Sequence, residues 1–249
     1  MSKATIFATQ DDVPHLNEQA KRDIAASYLP HELDARTKGI PSLGSGAIYP
    51  VPESEILCDP FKIPDYYKQC YALDVGWKRT AVLWGAHDED QDVLYLYAEY
   101  YRGQLQPYEH AQAILARGAW IPGVVDPAAH GRNQKDGDKL LKLYQEVLPN
   151  LTTADNAVSA GLYATWIRLS TGRLKVFRTM QHWLAEYRVY RRDEKGEIVK
   201  ENDHLMDDMR YMVMSGLAVA CVRPPEQWVT GKKQQNGIEY EYNPFAREP

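Results

Sequence analysis

Three apolar segments, Tyr71–Val75, Thr80–Ala86 and Val93–Tyr101, succeed one another with no room for a helix between them. Aromatic and aliphatic side chains fill them. Gly76-Trp77-Lys78-Arg79 and then the acidic stretch His87–Asp92 separate them. Connections this short make consecutive strands antiparallel, because a parallel return needs a crossover of about a dozen residues or more. The segments predict a three-stranded meander. Its first strand, Tyr71-Ala72-Leu73-Asp74-Val75-Gly76, carries one residue out of place. Aspartate is depleted in strands and seldom buried without a partner. Asp74 either pairs with Lys78 or Arg79, caps a turn, or binds a divalent cation that compensates its charge.

After the meander the period changes from two to that of a helix. Pro107–Arg117 reads as a helix with proline in its first turn and Gly118 past its end. Gly123-Val124-Val125-Asp126 is a short strand. A helix starting at Asp136 or Asp138 carries Leu140, Leu141, Leu143, Tyr144, Val147 and Leu148 at helical spacing and stops at Pro149. Leu151–Thr153 is a strand, and a helix from Asn156 or Ser159 runs to Leu169. Arg173–Phe177 is a strand and Gln181–Tyr187 a short helix. Arg188–Arg192 and Glu197–Lys200 flank Asp193-Glu194-Lys195-Gly196, which predicts an exposed basic β-hairpin. A long Met-rich helix from about Asp203 to Val222 closes the series, ahead of a polar tail. Three antiparallel strands and then alternating helices and strands predict an α/β fold, a mixed sheet with helices on both faces.

Residues 1–60 read differently. Ala4–Thr9 suits a short strand, Leu16–Ser27 an amphipathic helix, and the prolines and glycines from Pro30 onward suit a linker or lid. Gly44-Ser45-Gly46 is no phosphate loop, since no Gly-Lys-Ser/Thr comes after it. The chain has 249 residues, 44% hydrophobic and 25% charged, as expected of a soluble globular protein. A net charge of -5 gives no global signature of nucleic-acid binding, although a local basic patch would suffice for it. Cys58, Cys70 and Cys221 lack metal-ligand spacing and read as reduced thiols. No apolar run reaches the roughly 18 residues of a membrane span, and an intracellular, soluble protein with no membrane partner is expected.

Asp74 has company. In a sheet of this order the strand ending at Asp126 enters parallel beside the first strand, so the two carboxylates become neighbours. The last helix brings Asp203 and Asp207 to the same place, because i and i+4 share a face. Carboxylates gathered in this way repel unless cations bridge them, and hard Mg²⁺ or Mn²⁺ ions take oxygen ligands. Each residue also has a local role open to it: Asp126 in a turn before Pro127, Asp203 as a helix cap, Asp207 and Asp208 near a positive helix start. His130 belongs to a loop, where it either orients a phosphate or is merely exposed. Arg132, Lys135, Lys139 and Lys142 make a basic neighbourhood beyond Asp126. Lys78 and Arg79 beside the first carboxylate, with Arg188, Arg191, Arg192 and Lys195 on the hairpin, are candidate contacts to DNA phosphates. Trp77 flanks the same site.

Three stretches together resemble a known family. Leu73-Asp74-Val75-Gly76, Val125-Asp126-Pro127 and Met206-Asp207-Asp208-Met209-Arg210-Tyr211 are similar, in order and spacing, to the nuclease domain of the large terminase subunit of tailed bacteriophages. The last stretch resembles the family's Asp-Ala-Leu-Arg-Tyr pattern, which places the family aspartate on Asp207 and puts Asp208 where a small residue is usual. The resemblance implies an RNase H-like domain over residues 61–225. Residues 1–60 resemble the end of an ATPase domain and its linker, without Walker motifs, and residues 226–249 form a polar tail. It implies a metal-dependent endonuclease of the viral DNA-packaging motor, cutting concatemeric double-stranded DNA by two-metal hydrolysis with Mg²⁺ or Mn²⁺. Asp74, Asp126 and Asp207 would be catalytic, with Asp208 and Asp203 as further ligands. The implied partners are double-stranded DNA, the small terminase subunit and the portal or procapsid, and the implied place is the host cytoplasm. Two other readings are a non-catalytic docking module of the motor and a resolvase-like nuclease on branched DNA. The same register predicts that Asp207→Asn removes nuclease activity with the fold intact, the relief of repulsion favouring the metal-free chain, and that Asp208→Asn is milder.

Overall fold

The structure is a computed structural model that describes residues 17, 19–22, 46–127, 134–193, 195–224, 232–235 and 238–241. The strand expected at Ala4–Thr9, most of the helix expected at Leu16–Ser27, and His130 and Arg132 lie outside these residues.

The meander forms as β2 (Lys68–Asp74), β3 (Thr80–Asp88) and β4 (Val93–Arg102), paired antiparallel in sequence order. β5 (Gly123–Val125) joins parallel on the far side of β2, and β6 (Leu151–Thr153) joins parallel to β5. On the other side β7 (Leu174–Phe177) pairs parallel with β4, and β1 (Leu57–Cys58) with β7. The result is one seven-stranded mixed sheet in the order β1-β7-β4-β3-β2-β5-β6.

β2 shows why a strand at the middle of such a sheet is apolar throughout. Cys70 and Ala72 face one hydrophobic core and Tyr71 and Leu73 the other, as period-two alternation requires. On the first face lie α1 (Glu53–Ile56), α4 (Val158–Ser170), α5 (Gln181–Val189) and α6 (His204–Tyr211). On the second lie α2 (Pro107–Leu115) and α3 (Gln134–Val147). The same alternation carries Asp74, two residues after Ala72, to the α6 face. Val124 belongs to that face too, so Asp126 joins Asp74 there.

Three features depart from the sequence-based expectations. First, the stretch read as linker is built into the fold from residue 46: Tyr49, Val51 and Ile56 are buried, and β1 is the sheet's edge strand. Its prolines concealed this because β1 is only two residues long and has no visible period. Second, Arg188–Lys200 is not a ladder of two strands. Arg188 and Val189 end α5, and the chain then makes a turn with a single bridge, Arg192 to Ile198, while Arg191 bridges back to Ala47. Third, the final helix is not uniform. A π-helical turn, Met212–Gly216, comes after α6 and before the short α7 (Leu217–Val219), and Cys221 then bonds to the backbone of Gln69. The wide turn seats Met212 over Gly85, where the β3–β4 register shifts; a Cβ on Gly85 would stand 2.3 Å from the Met212 sulfur.

This packing can be tested at two places. A Cβ on Gly123 of β5 would lie 2.1 Å from the ring of the buried Tyr71. Gly123→Ala is expected to lower stability by about 1–3 kcal/mol through overpacking, read as a lower urea midpoint at unchanged slope. Asp92, at φ 50 in the β3–β4 turn, binds His87, Arg168 and Arg173 and so ties the turn to α4 and β7. Desolvation raises its pKa, but those three hydrogen bonds outweigh it and hold the carboxyl down at about 2. The stabilisation is complete above the unfolded value of about 3.9 and is lost as pH falls through the folded one. Asp92→Asn keeps the left-handed turn accessible, and its stability deficit relative to the parent is expected to shrink as pH drops from 6 towards 3.

Candidate metal centre

β2 ends on Asp74, and the chain leaves β5 at Asp126, whose backbone N–H donates to the Leu73 carbonyl (3.1 Å). The two carboxylates thus lie on neighbouring parallel strands and on one face, as the strand order required. α6 crosses that face. Leu205, Met209 and Met212 are its fully buried stripe, at i, i+4 and i+7, and Asp208 falls at i+3 of the same stripe. It is completely buried, and neither of its carboxylate oxygens has a hydrogen-bond partner. Burial first, and then the fields of Asp74, Glu186, Asp207 and Asp126, push its pKa well above the usual carboxylate range.

The other predicted ligands all have partners. His204 Nδ1 donates to Asp74 Oδ2 at 2.6 Å, and Tyr211 Oη donates to Asp126 Oδ1 at 2.7 Å. Burial raises the Asp74 pKa and the His204 bond opposes the rise; the same bond is the main reason that His204 is shifted upward. Asp207 accepts from Lys200 at 3.2 Å and from the Arg210 guanidinium at 3.0 and 3.3 Å. Asp203 stands at the helix N-cap with Lys200 Nζ 3.2 Å away, and its side chain caps nothing. The cap is supplied by Glu186 of α5, which accepts from Leu205 N (2.7 Å) and Met206 N (3.4 Å) while Tyr101 Oη donates to its other oxygen (2.7 Å). Glu186 is buried, and that raises its pKa against these bonds.

This geometry corrects one expectation. Asp207 is not an uncompensated charge: it is the counter-ion of Arg210, whose side chain is 1% exposed. Asp207→Asn would strand that cation and is expected to be destabilising. The residue without compensation is Asp208. Its position was legible in the sequence as an acidic residue on the apolar stripe of its helix, a signal stronger than motif register. His204, Glu186 and Tyr211 were not singled out from sequence, because only tertiary packing brings them to the carboxylates.

The donor set fits a hard divalent cation: several carboxylates on one face, one with both oxygens orphaned. Among the described residues no three His, Cys, Asp or Glu side chains already converge as a finished ligand set. Asp74 is held through Oδ2 by His204 and Asp126 through Oδ1 by Tyr211.

The predicted DNA contacts are scattered around this centre. Lys78 and Arg79 lie exposed in the β2–β3 turn, close in the chain to Asp74, with Trp77 exposed beside them. Arg79 rests on the Tyr101 ring, 4.6 Å from its centroid. Arg188 is a structural pair instead: Nε and one terminal nitrogen both donate to Glu53, at 2.6 and 2.7 Å. Arg191, Arg192 and Lys195 are exposed, with Arg192 donating to the Gly196 carbonyl. Lys142 is exposed on α3, whereas the side chains of Lys135 and Lys139 lie outside those described.

No protein-family profile matches the chain. The large terminase subunit of Enterobacteria phage LP7 is 34% identical over 226 residues, 87% of this chain and 47% of that protein. The chain thus spans about half the length of the curated relatives it matches. The solved nuclease domain of the P22 large terminase superposes with a TM-score of 0.67 at 30% identity, covering 72% of this chain and 96% of that domain. The large terminase nuclease of thermophilic phage G20c, crystallised with bound cobalt, shares the fold at a TM-score of 0.53 and 11% identity over 70% of this chain and 99% of that one. A mixed sheet of this RNase H-like order, an acidic centre at the ends of two parallel strands, and a relative at this identity matched over most of the chain together show that the chain belongs to the large-terminase family of bacteriophages, in the part that forms its nuclease domain.

Proposed function

We propose that the chain is a metal-dependent endodeoxyribonuclease of a viral DNA-packaging motor, hydrolysing phosphodiesters of double-stranded, concatemeric DNA. The observation that carries the reading is Asp208, a buried carboxylate with no hydrogen-bond partner, facing the carboxylates of Asp74, Asp126 and Asp207. Leaving such a group unsatisfied costs on the order of 1–3 kcal/mol or more, and a bound cation would remove that cost. Asp74, Asp126 and Asp208, with Asp207 and Asp203 beside them, would hold Mg²⁺ or Mn²⁺, and the cobalt of the G20c nuclease is in keeping with a divalent ion. Bound there, a pair of such ions would polarise the phosphodiester and make water a competent nucleophile at neutral pH.

The protein's own side chains do the positioning. His204 fixes one oxygen of Asp74 and Tyr211 fixes one of Asp126. Glu186 locks the first turn of α6, which sets where Asp207 and Asp208 stand. Arg210 absorbs the charge of Asp207, so the cluster carries less repulsion than a count of its acids suggests. Lys78 and Arg79 at the rim, with Arg191, Arg192 and Lys195 farther off, would contact DNA phosphates. The small terminase subunit and portal would be partners of the whole protein in the host cytoplasm. Among the described residues no helix is long and apolar enough to cross a membrane.

The test is plasmid nicking with Mg²⁺, Mn²⁺ or EDTA, set beside linear and branched duplexes. Cutting of linear duplex with either metal and none in EDTA is expected. Undiminished cutting in EDTA would refute the metal mechanism, and a strict need for branches would favour the resolvase reading. A paired substitution tests the centre. Asp208→Asn is expected to raise the melting temperature in EDTA, to abolish the Mn²⁺-induced rise seen in the parent, and to stop cutting. Asp207→Asn is expected to lower the melting temperature, through about 1–3 kcal/mol lost at Arg210. If Asp208→Asn retains the Mn²⁺ response and cuts normally, Asp208 is not a ligand.

A further inference from the structure

β7 covers only part of β4. Leu174, Lys175 and Val176 pair with Leu94, Tyr95 and Leu96, and among the described residues β4 has a strand neighbour from Tyr97 to Arg102 on the β3 side alone. A groove of about 430 Å³ opens along this uncovered edge. Thr179 and His182 line it from the α5 face of the sheet, and Arg117 from the α2 face, where its guanidinium lies 4.6 Å from the ring centre of the buried Trp84. Tyr101 points to the α5 face, stacked on His182 at 4.8 Å and carrying the Arg79 guanidinium on its ring. Arg102, the next residue, points to the opposite face.

The described arginines of residues 46–224 divide by their partners. Arg168, Arg173, Arg178, Arg188, Arg210 and Arg223 each contact a carboxylate. Arg191 and Arg192 sit apart, on the turn after α5. Arg79, Arg102 and Arg117 contact no carboxylate among the described residues, and all three are exposed around this one edge. Aromatic stacking orients the planar guanidinium of Arg79 and of Arg117 without neutralising it. The one acid lining the groove, Glu99, is committed to the α5 N-terminus, where it accepts from His182 N (2.9 Å) and Trp183 N (2.8 Å). In a chain of net charge -5, uncompensated guanidiniums collected at one place match a polyanion.

The groove also adjoins the carboxylate centre. Asp74 pairs with Ala81, and Ala81 with Tyr101, so Tyr101 stands two strands from Asp74, about 10 Å away, on the same face. Its ring lies 6.2 Å from that of His204. We propose that the uncovered edge of β4 binds the phosphodiester backbone of the nucleic-acid strand presented to the carboxylate centre, with Arg79, Arg102 and Arg117 as the phosphate contacts. The inference rests on the nuclease reading above and adds to it the track along which the substrate lies.

The experiment measures duplex DNA binding by the whole chain in EDTA, by fluorescence anisotropy across a range of salt, so that binding is read apart from cutting. Arg102→Gln/Arg117→Gln is expected to weaken binding roughly tenfold and to reduce the slope of log affinity against log salt by about 2. Arg178→Gln, which removes an exposed charge already paired with Asp59, is expected to stay close to the parent. Arg102→Lys/Arg117→Lys is expected to recover most of the loss. With Mn²⁺ present the Gln pair should raise KM and leave kcat nearly unchanged. Should Arg117→Gln unsettle Trp84, Arg102→Gln alone still lowers the slope by about 1. A double variant that matches the parent in affinity and slope overturns the proposal, and so does equal weakening by Arg178→Gln. A parent that binds duplex and loses affinity as described, but never cuts with any divalent metal, supports the edge and rejects the nuclease reading. A parent that cuts with metal while the Gln pair binds normally rejects the edge alone.

Discussion

A fully buried carboxylate with no hydrogen-bond partner lies between α6 and the ends of β2 and β5, and the surrounding structure is arranged to keep it there. Left to itself, a helix bearing Asp208 on its apolar stripe would rotate to bring the acid to water. Leu205, Met209 and Met212 prevent this by burying the same stripe against the sheet. Each large apolar side chain buried in this way contributes about 1.5–3 kcal/mol, which offsets the cost of burying one carboxyl. Glu186 prevents axial slippage by accepting from the first amides of α6, and Tyr101 holds Glu186 from β4. The central strands and the helix therefore cannot be optimised separately, because the acid's position depends on both.

The remaining acids are handled by a different device. Asp74 and Asp126 are each tied to a neutral or cationic donor, and Asp207 to a buried arginine. The centre in its metal-free form is therefore closer to electrical balance than five aspartates in a row of motifs suggest. Repulsion is concentrated on a single protonatable group. Such an arrangement makes a site that folds without metal and still has a strong reason to accept one. The two neighbouring acids of α6 thus differ: Arg210 and Lys200 compensate Asp207, while Asp208 has no partner among the described residues.

Much of this was legible in the residues. The meander, the parallel entry of β5 and the meeting of Asp74 with Asp126 came from short connections and period-two alternation, and the strand order bears them out. The motif register on α6 was less secure, since sequence similarity favoured Asp207 and helical geometry puts Asp208 on the buried face. The basic hairpin is shorter than expected, closing only around the Arg192–Ile198 bridge. Its first two residues end α5, where Arg188 is held by Glu53, a residue 135 positions earlier in the chain. That residues 46–60 belong to the sheet's edge was hidden because a two-residue edge strand leaves no pattern to find.

What the sequence determined by itself was the sheet's central order and the presence of acids at the ends of its strands, because both rest on interactions between near neighbours: turn length, alternation and the oddity of aspartate in apolar runs. What only the tertiary structure decided was the state of each acid. Whether a carboxylate is paired depends on residues far away in the chain, such as His204 for Asp74, Tyr211 for Asp126 and Glu186 for the start of α6. The uncovered edge of β4 was hidden for the same reason. A strand's own residues do not say how far its neighbour extends, and it is the shortness of β7 that leaves Tyr97–Arg102 open.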